Sequence, residues 1–161
     1  MRLAAGVTFI VQALWASVGY SLPAALGAAL AAPQRRTVLL IGDGAAQLTA
    51  QEFGTLIRED CNVITILINN DGYTIERAIH GAEQHYNDIP AWNWPLVPII
   101  MGGATMRTAR AGTPFQLNRL LDSVADPTGP VLLDAVLPKL DVPQLLTELA
   151  RSATAANKRN G

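Results

Sequence analysis

"TVLLIGDGAAQ", residues 37–47, joins an apolar, β-branched run to a glycine-flanked aspartate and then to residues that favour a helix. A strand–turn–helix step of this kind ordinarily offers its glycine-rich turn and the helix start to a phosphate. An aspartate in the middle of that turn, Asp43, is a misfit unless it holds a cation that in turn holds the phosphate. A dinucleotide fingerprint is excluded. Its sixth position should be glycine and is Gln47, and the next apolar run ends in Asn69 and Asn70 instead of an acidic residue for a ribose. A Walker turn is excluded too, because no Gly-Lys-Ser/Thr follows.

The next apolar run, "VITILI" at 63–68, runs straight into "NNDG" at 69–72. If the two runs are parallel neighbours joined by a helix, both turns open at the same sheet edge, with strands about 4.8 Å apart. A carboxylate oxygen of Asp43, the amide oxygen of Asn70 and a main-chain carbonyl near Gly72 then form part of an octahedral Mg²⁺ shell, leaving places for a diphosphate. Gly42 and Gly44 let the backbone approach, and N–H groups at Ala45 and Ala46 are placed to receive phosphate oxygens. Alone, "GDG" reads as a tight turn and "NNDG" as a hairpin turn. An EF-hand loop fails because Ala78 stands where its terminal Glu belongs. Their position at the two ends of one βαβ unit is what separates the pair from those readings.

Further apolar runs occur at "VTFIV" (7–11), "MRTARA" (106–111, weak) and "PVLLDAVL" (130–137). Helices are expected at 23–32, 45–58, 75–82, 113–124 and 142–155. Near-continuous apolar strands alternating with helices predict an α/β doubly wound parallel sheet with helices on both faces. Residues 1–155 read as one domain, and 156–161, containing "NKRNG", as a polar tail that frays. The uncharged stretch 3–34 behind Arg2 could pass for a signal peptide or a membrane span, but Gly6, Gln12, Ser17, Gly19, Pro23 and Gly27 divide it. It reads instead as a buried strand, a loop and a buried helix. Core-like sequence beginning almost at Met1 suggests a chain lacking something N-terminal to it.

With 161 residues, half of them hydrophobic, and a formal net charge of −1, the chain suits a single globular domain and argues against a nucleic-acid partner. Its one cysteine, Cys61, excludes an internal disulfide and fits a reducing, cytoplasmic setting. The aromatic loop "HYNDIPAWNWPLVP" (85–98) and the three tryptophans Trp15, Trp92 and Trp94 read as packing groups. His80 and His85 are given neither a catalytic nor a metal role.

"LWASVGYSLPAALGAALA", "GDGAAQLTAQEFGTLI", "NNDGYTIERAIHG" and "YNDIPAWNW" together resemble the C-terminal cofactor domain of the pyruvate, indolepyruvate and branched-chain 2-oxo acid decarboxylases, which bind thiamine diphosphate. The resemblance covers nearly the whole chain and is weakest over 101–130. It implies Asp43, Asn70 and Gly72 as Mg²⁺ ligands, and Ala45 and Ala46 at the diphosphate. It implies Glu76 of "YTIE" as the catalytic acid, raised in pKa by an apolar wall, and Ile75 as a pocket residue. Val18 becomes the wedge that bends the cofactor, while Ala16, where glycine is usual, offers its carbonyl to the cofactor's amino group. Ser17, Gly42, Gly44 and Tyr73 complete the cofactor-binding set. The implied reaction converts a 2-oxo acid to an aldehyde and carbon dioxide. Pyrimidine and middle domains, absent from this sequence, would complete the enzyme, which the family builds as a homodimer or homotetramer with its site shared between subunits. Small residues at Ser152, Ala153 and Thr154 lead us to expect branched-chain or aromatic substrates. An acetolactate synthase-like carboligase and a non-catalytic chain that keeps only the cofactor fold are the alternatives, and "YTIE" argues against the first.

Overall fold

The computed structural model describes residues 3–125 and 129–160, with side chains as far as Ser152. The apolar runs at 37–42, 63–68, 106–111 and 130–137 become β1 (Thr37–Gly42), β2 (Val63–Asn69), β3 (Arg107–Ala111) and β4 (Val131–Val136). All pairings are parallel, in the order β1-β2-β4-β3. Gly42 lies opposite Ile68 and Asn69 opposite Val136. The carboxyl ends of the three strands are therefore level, and the turns that follow β1 and β2 open side by side.

Alternate residues of a strand face opposite ways, and the sheet builds a core on each side. Leu39 and Ile41 of β1, Val63 and Leu67 of β2 and Leu132 of β4 pack with Leu22, Ala25 and Ala29 of α1 (Ser21–Ala31), Ala46 of α2 (Asp43–Leu48), and Phe53 and Leu56 of α3 (Glu52–Arg58). Leu22, Phe53, Leu56, Leu67 and Leu132 are fully buried, each worth about 1.5–3 kcal/mol relative to exposure. On the opposite face Ile64, Val131 and Leu133 meet Val124 and the partly buried Leu120 and Leu121, the last two from α6 (Pro114–Ser123). The remaining helices are α4 (Thr74–His80), α5 (Val97–Ile100) and α7 (Gln144–Asn160). Helix α6 starts where it does because Thr113 Oγ1 accepts the Gln116 N–H at 3.2 Å and Gln116 Oε1 accepts that of Gly112 at 2.9 Å, with Pro114 at the first helical position. No helix among the described residues is long and apolar enough to cross a membrane.

Three expectations are corrected. "VTFIV" is not a strand: Val7, Phe9, Ile10 and Val11 are 53–63 % exposed. The segment is tied to Arg35, which donates to Thr8 Oγ1 and Gly6 O. β-propensity yields a strand only where a ladder partner exists, and none reaches it among the described residues. The helix expected over 45–58 begins two residues earlier and breaks into α2 and α3, where Thr49 leaves helical geometry at φ −134° and its hydroxyl donates to Gly19 O at 3.0 Å. The tail read at 156–161 continues α7 as far as Asn160. No glycine or proline occurs over residues 144–160 to end it earlier.

Candidate cofactor site

Asp43 opens α2 immediately beyond β1 and is 1 % exposed. Its Oδ1 accepts the Gly44 N–H at 2.8 Å, and its Oδ2 accepts the Gly72 N–H at 3.1 Å across the gap to the β2 turn. Burial pushes the Asp43 carboxyl above the usual aspartate range. The N–H groups of Gly44, Gly72 and Asp71 pull it down, and the neighbouring Asp71 charge adds to the rise. A buried carboxylate with no cationic partner costs free energy that a bound cation would offset.

The terminal amide of Asn70 completes the cluster. The atom that it turns toward Asp43 lies 3.3 Å from Asp43 Oδ1 and 3.0 Å from Gly72 O. Oxygens on adjacent corners of an octahedron with Mg–O bonds of about 2.0–2.1 Å are separated by about 2.9 Å. The donor set and its spacing fit Mg²⁺.

The close approach of the two turns depends on glycine. Gly72 has φ +123°, and a Cβ there would sit 2.2 Å from Asn87 O. A Cβ on Gly44 would meet the Tyr73 ring at 2.6 Å, whose hydroxyl donates to Gly44 O at 3.2 Å. Gly42 leads into α2 with φ −74°. Ala45 is half-buried, whereas the Ala46 side chain is fully buried in the core, so only its main chain is left for a ligand. Helix geometry leaves N–H groups of the first turn without intrahelical partners.

The segment before α1 joins this edge through Gly19. It packs against Leu48, Thr49 and Ala45 O, and its carbonyl accepts from Thr49. Ala16 has φ +44°, in the left-handed region that explains why glycine suits that place. Ser17 N donates to Gln12 Oε1 at 2.7 Å, and Val18 is 53 % exposed. Ile75 is equally exposed.

Glu76 is not buried against an apolar wall as expected. Its side chain is 45 % exposed and lies 3.4 Å from His80 Nε2, one helical turn on. Trp94 is buried and Trp92 packs against it with ring centroids 5.2 Å apart, but Trp15 is 82 % exposed and is not a packing group here.

Several organising residues carried no local signal. Arg77, 3 % exposed, donates to the carbonyls of Asn70, Asp71 and Asn87 and pairs with Asp88 at 2.8 Å. Asp88 also meets Lys139 at 2.6 Å, and the two cations hold its carboxyl below the usual range, Lys139 more strongly. On β4 the fully buried Asp134 accepts from Asn69 Nδ2 at 2.9 Å and from Arg110 Nε at 2.6 Å. Sequence alone cannot tell Arg77 from a solvated helix arginine, because its partners come from two loops. A cavity of about 210 Å³ at this edge is lined by Asp43, Gln47, Asn69, Asp71, Trp92 and Arg110, among others.

Residues 1–135 match the family described as thiamine pyrophosphate enzyme, C-terminal TPP binding domain. Among curated proteins, the chain is 54 % identical over 151 residues to an alpha-keto-acid decarboxylase of Mycolicibacterium paratuberculosis, covering 93 % of this chain and 27 % of the relative. It is 55 % identical over 152 residues to one of Mycobacterium ulcerans, covering 94 % and 27 %. The chain thus spans about a quarter of the length of the curated relatives that it matches. Among solved structures, a Rhodococcus jostii thiamine diphosphate-dependent 4-hydroxybenzoylformate decarboxylase superposes with a TM-score of 0.66 at 26 % identity, over 77 % of this chain and 24 % of that one. A putative thiamin diphosphate-dependent enzyme of Mycobacterium smegmatis, at 24 % identity and TM-score 0.62 over 76 % of this chain and 22 % of that one, shares the fold. With its parallel sheet and paired turns, the chain belongs to the thiamine pyrophosphate enzymes, as their C-terminal TPP binding domain.

Proposed function

We propose that residues 1–155 are the diphosphate-binding domain of a non-oxidative 2-oxo acid decarboxylase and that thiamine diphosphate is held here through Mg²⁺. The observation that carries this reading is the convergence of Asp43 Oδ1, Gly72 O and the Asn70 amide at 3.0–3.3 Å. Asp43, Asn70 and Gly72 would be the protein's ligands to the cation. The first-turn N–H groups at Ala45 and Ala46 would take phosphate oxygens. Bound thiamine diphosphate would supply the electron sink that a 2-oxo acid needs to lose carbon dioxide. Val18 and Ile75 would shape the space around the reacting atoms. Glu76, at the start of α4, would deliver a proton to the carbon that has lost carbon dioxide.

The exposure of Glu76, Val18 and Ile75 supports a site that another domain closes, such as the pyrimidine domain of a second subunit in a homodimer or homotetramer. The same exposure favours a second reading for the chain in isolation, that it binds cofactor weakly and turns nothing over. Branched-chain or aromatic 2-oxo acids are the proposed substrates. α7 packs on α4, the helix that bears Glu76, and Ser152 is exposed on it; the side chains of Ala153 and Thr154 lie outside the described residues. A role in branched-chain or aromatic amino acid catabolism and a cytoplasmic location are part of the same proposal.

The test is a calorimetric titration of the protein with thiamine diphosphate in the presence and absence of Mg²⁺, followed by an assay for aldehyde from 2-oxoisocaproate, phenylpyruvate and pyruvate with the pyrimidine and middle domains supplied alongside it. Mg²⁺-dependent binding and aldehyde release from the larger acids are expected. Binding that ignores Mg²⁺ would overturn the cation site, and a strong preference for pyruvate would overturn the substrate reading.

A further inference from the structure

Thr74 is the first residue of α4 and is 7 % exposed. Its hydroxyl lies 2.9 Å from Lys139 O, 3.2 Å from Arg77 Nη1 and 3.0 Å from the Asn70 amide. Taken alone, the Asn70 amide would turn its nitrogen to Asp43 Oδ1 and Gly72 O and its oxygen to Thr74. The other two partners of Thr74 oppose that orientation. A hydroxyl has one proton to give and two lone pairs to offer. Lys139 O is a carbonyl and accepts only, so the proton is spent there. Arg77 is a donor only, so it occupies one lone pair. What remains toward Asn70 is the second lone pair, which calls for the amide nitrogen. The amide oxygen is then left facing Asp43 Oδ1, which already accepts the Gly44 N–H, and Gly72 O, which already accepts the Thr74 N–H, so the three oxygens face one another in an arrangement that a cation satisfies.

We infer that Thr74 is a positioning residue that turns the amide oxygen of Asn70 toward the cation, its own hydroxyl being committed by Lys139 O and Arg77. The inference rests on the Mg²⁺–diphosphate reading and deepens it. Thr74 acts through Asn70 and not as a ligand, because its hydroxyl is taken up by Lys139 O, Arg77 and the Asn70 amide. Partners that orient metal ligands in this way are worth about 10–100-fold in metal affinity.

The experiment measures the Mg²⁺ concentration that half-saturates thiamine diphosphate binding, by calorimetry, in the parent protein, Thr74→Ser, Thr74→Val, Asn70→Asp and the Asn70→Asp/Thr74→Val double variant. Thr74→Val keeps the shape and removes the hydroxyl, so the Mg²⁺ requirement should rise by about 10–100-fold. Cofactor affinity at saturating Mg²⁺ should be recovered. Thr74→Ser should stay close to the parent. A carboxylate in place of the Asn70 amide has an oxygen on either side and needs no turning, so Asn70→Asp should have the same Mg²⁺ requirement with or without Thr74→Val.

The inference is overturned if Thr74→Val shifts the requirement by less than about twofold, or if its loss persists at saturating Mg²⁺, as general damage to the fold would cause. It is also overturned if Thr74→Val costs as much in the Asn70→Asp background as in the parent, a comparison that remains available should the single valine variant fold poorly. Absence of Mg²⁺-dependent binding in the parent would instead sink the cofactor reading and this inference with it.

Discussion

Asp43 combines full burial with main-chain N–H groups of Gly44, Gly72 and Asp71 and, among the described residues, no cationic side chain paired with it. Asp43→Ala removes the only carboxylate of the proposed cation shell, and thiamine diphosphate binding should lose its Mg²⁺ dependence in calorimetric titration. The carboxyl's raised pKa also sets the direction of a pH effect. A proton competes with the cation, so Mg²⁺-dependent binding should weaken as pH falls, beginning above the usual aspartate range. Without a cation the sign for folding is the reverse. The folded state holds its proton more tightly than the unfolded one, so the stability that this group adds is present at low pH and lost as pH rises through the folded pKa. Glu76→Gln keeps the shape of the side chain but cannot move a proton. Cofactor affinity should be unchanged while kcat falls by roughly 10²–10⁴-fold. A fall of only a few-fold would leave Glu76 a positional role.

At the scale of elements, β2 delivers the Asn69–Asn70 turn to the edge, but its neighbours hold that turn in place. Asp134 on β4 takes the Asn69 amide, and Arg110 on β3 takes the other carboxylate oxygen, linking three strands through one buried charge. Arg110→Met should leave Asp134 buried with its Oδ2 unpartnered and destabilise the protein by about 1–3 kcal/mol. The expected readout is a lower midpoint in urea with an unchanged m-value. A variant as stable as the parent would show that water replaces the guanidinium, whose side chain is 47 % exposed.

Across the whole molecule, one face of the sheet is covered unevenly. α6 shields β3 and β4, whereas Val38 and Leu40 of β1 are 56 % and 59 % exposed on an edge strand. Phe9, Ile10, Leu14 and Trp15 add a second apolar surface, all more than half exposed. Apolar edges of this kind promote non-specific association. The chain produced by itself should therefore self-associate in sedimentation velocity experiments. Val38→Lys with Leu40→Glu should raise its soluble fraction without lowering its urea midpoint, because neither side chain contributes to a core. Unchanged association would place the sticky surface elsewhere.

The sheet and the pairing of Asp43 with the Asn70–Gly72 turn were legible because each depends on short-range pattern. Apolar runs of strand length alternate with helices, and a βαβ unit must bring the turns after two adjacent parallel strands to one edge. The positive φ of Gly72 follows from the same local logic. Thr74, Arg77, Asp88, Lys139 and Asp134 were not legible, since what each does depends on partners up to 65 residues away that no spacing announces. "VTFIV" shows the same limit, because strand propensity is realised only when a neighbouring strand accepts its hydrogen bonds. Glu76 shows it for chemistry. Its place at the start of α4 is written in "YTIE", but whether its carboxyl sits in water or against an apolar wall is decided by what packs over that helix, a property of the tertiary assembly and not of the helix itself.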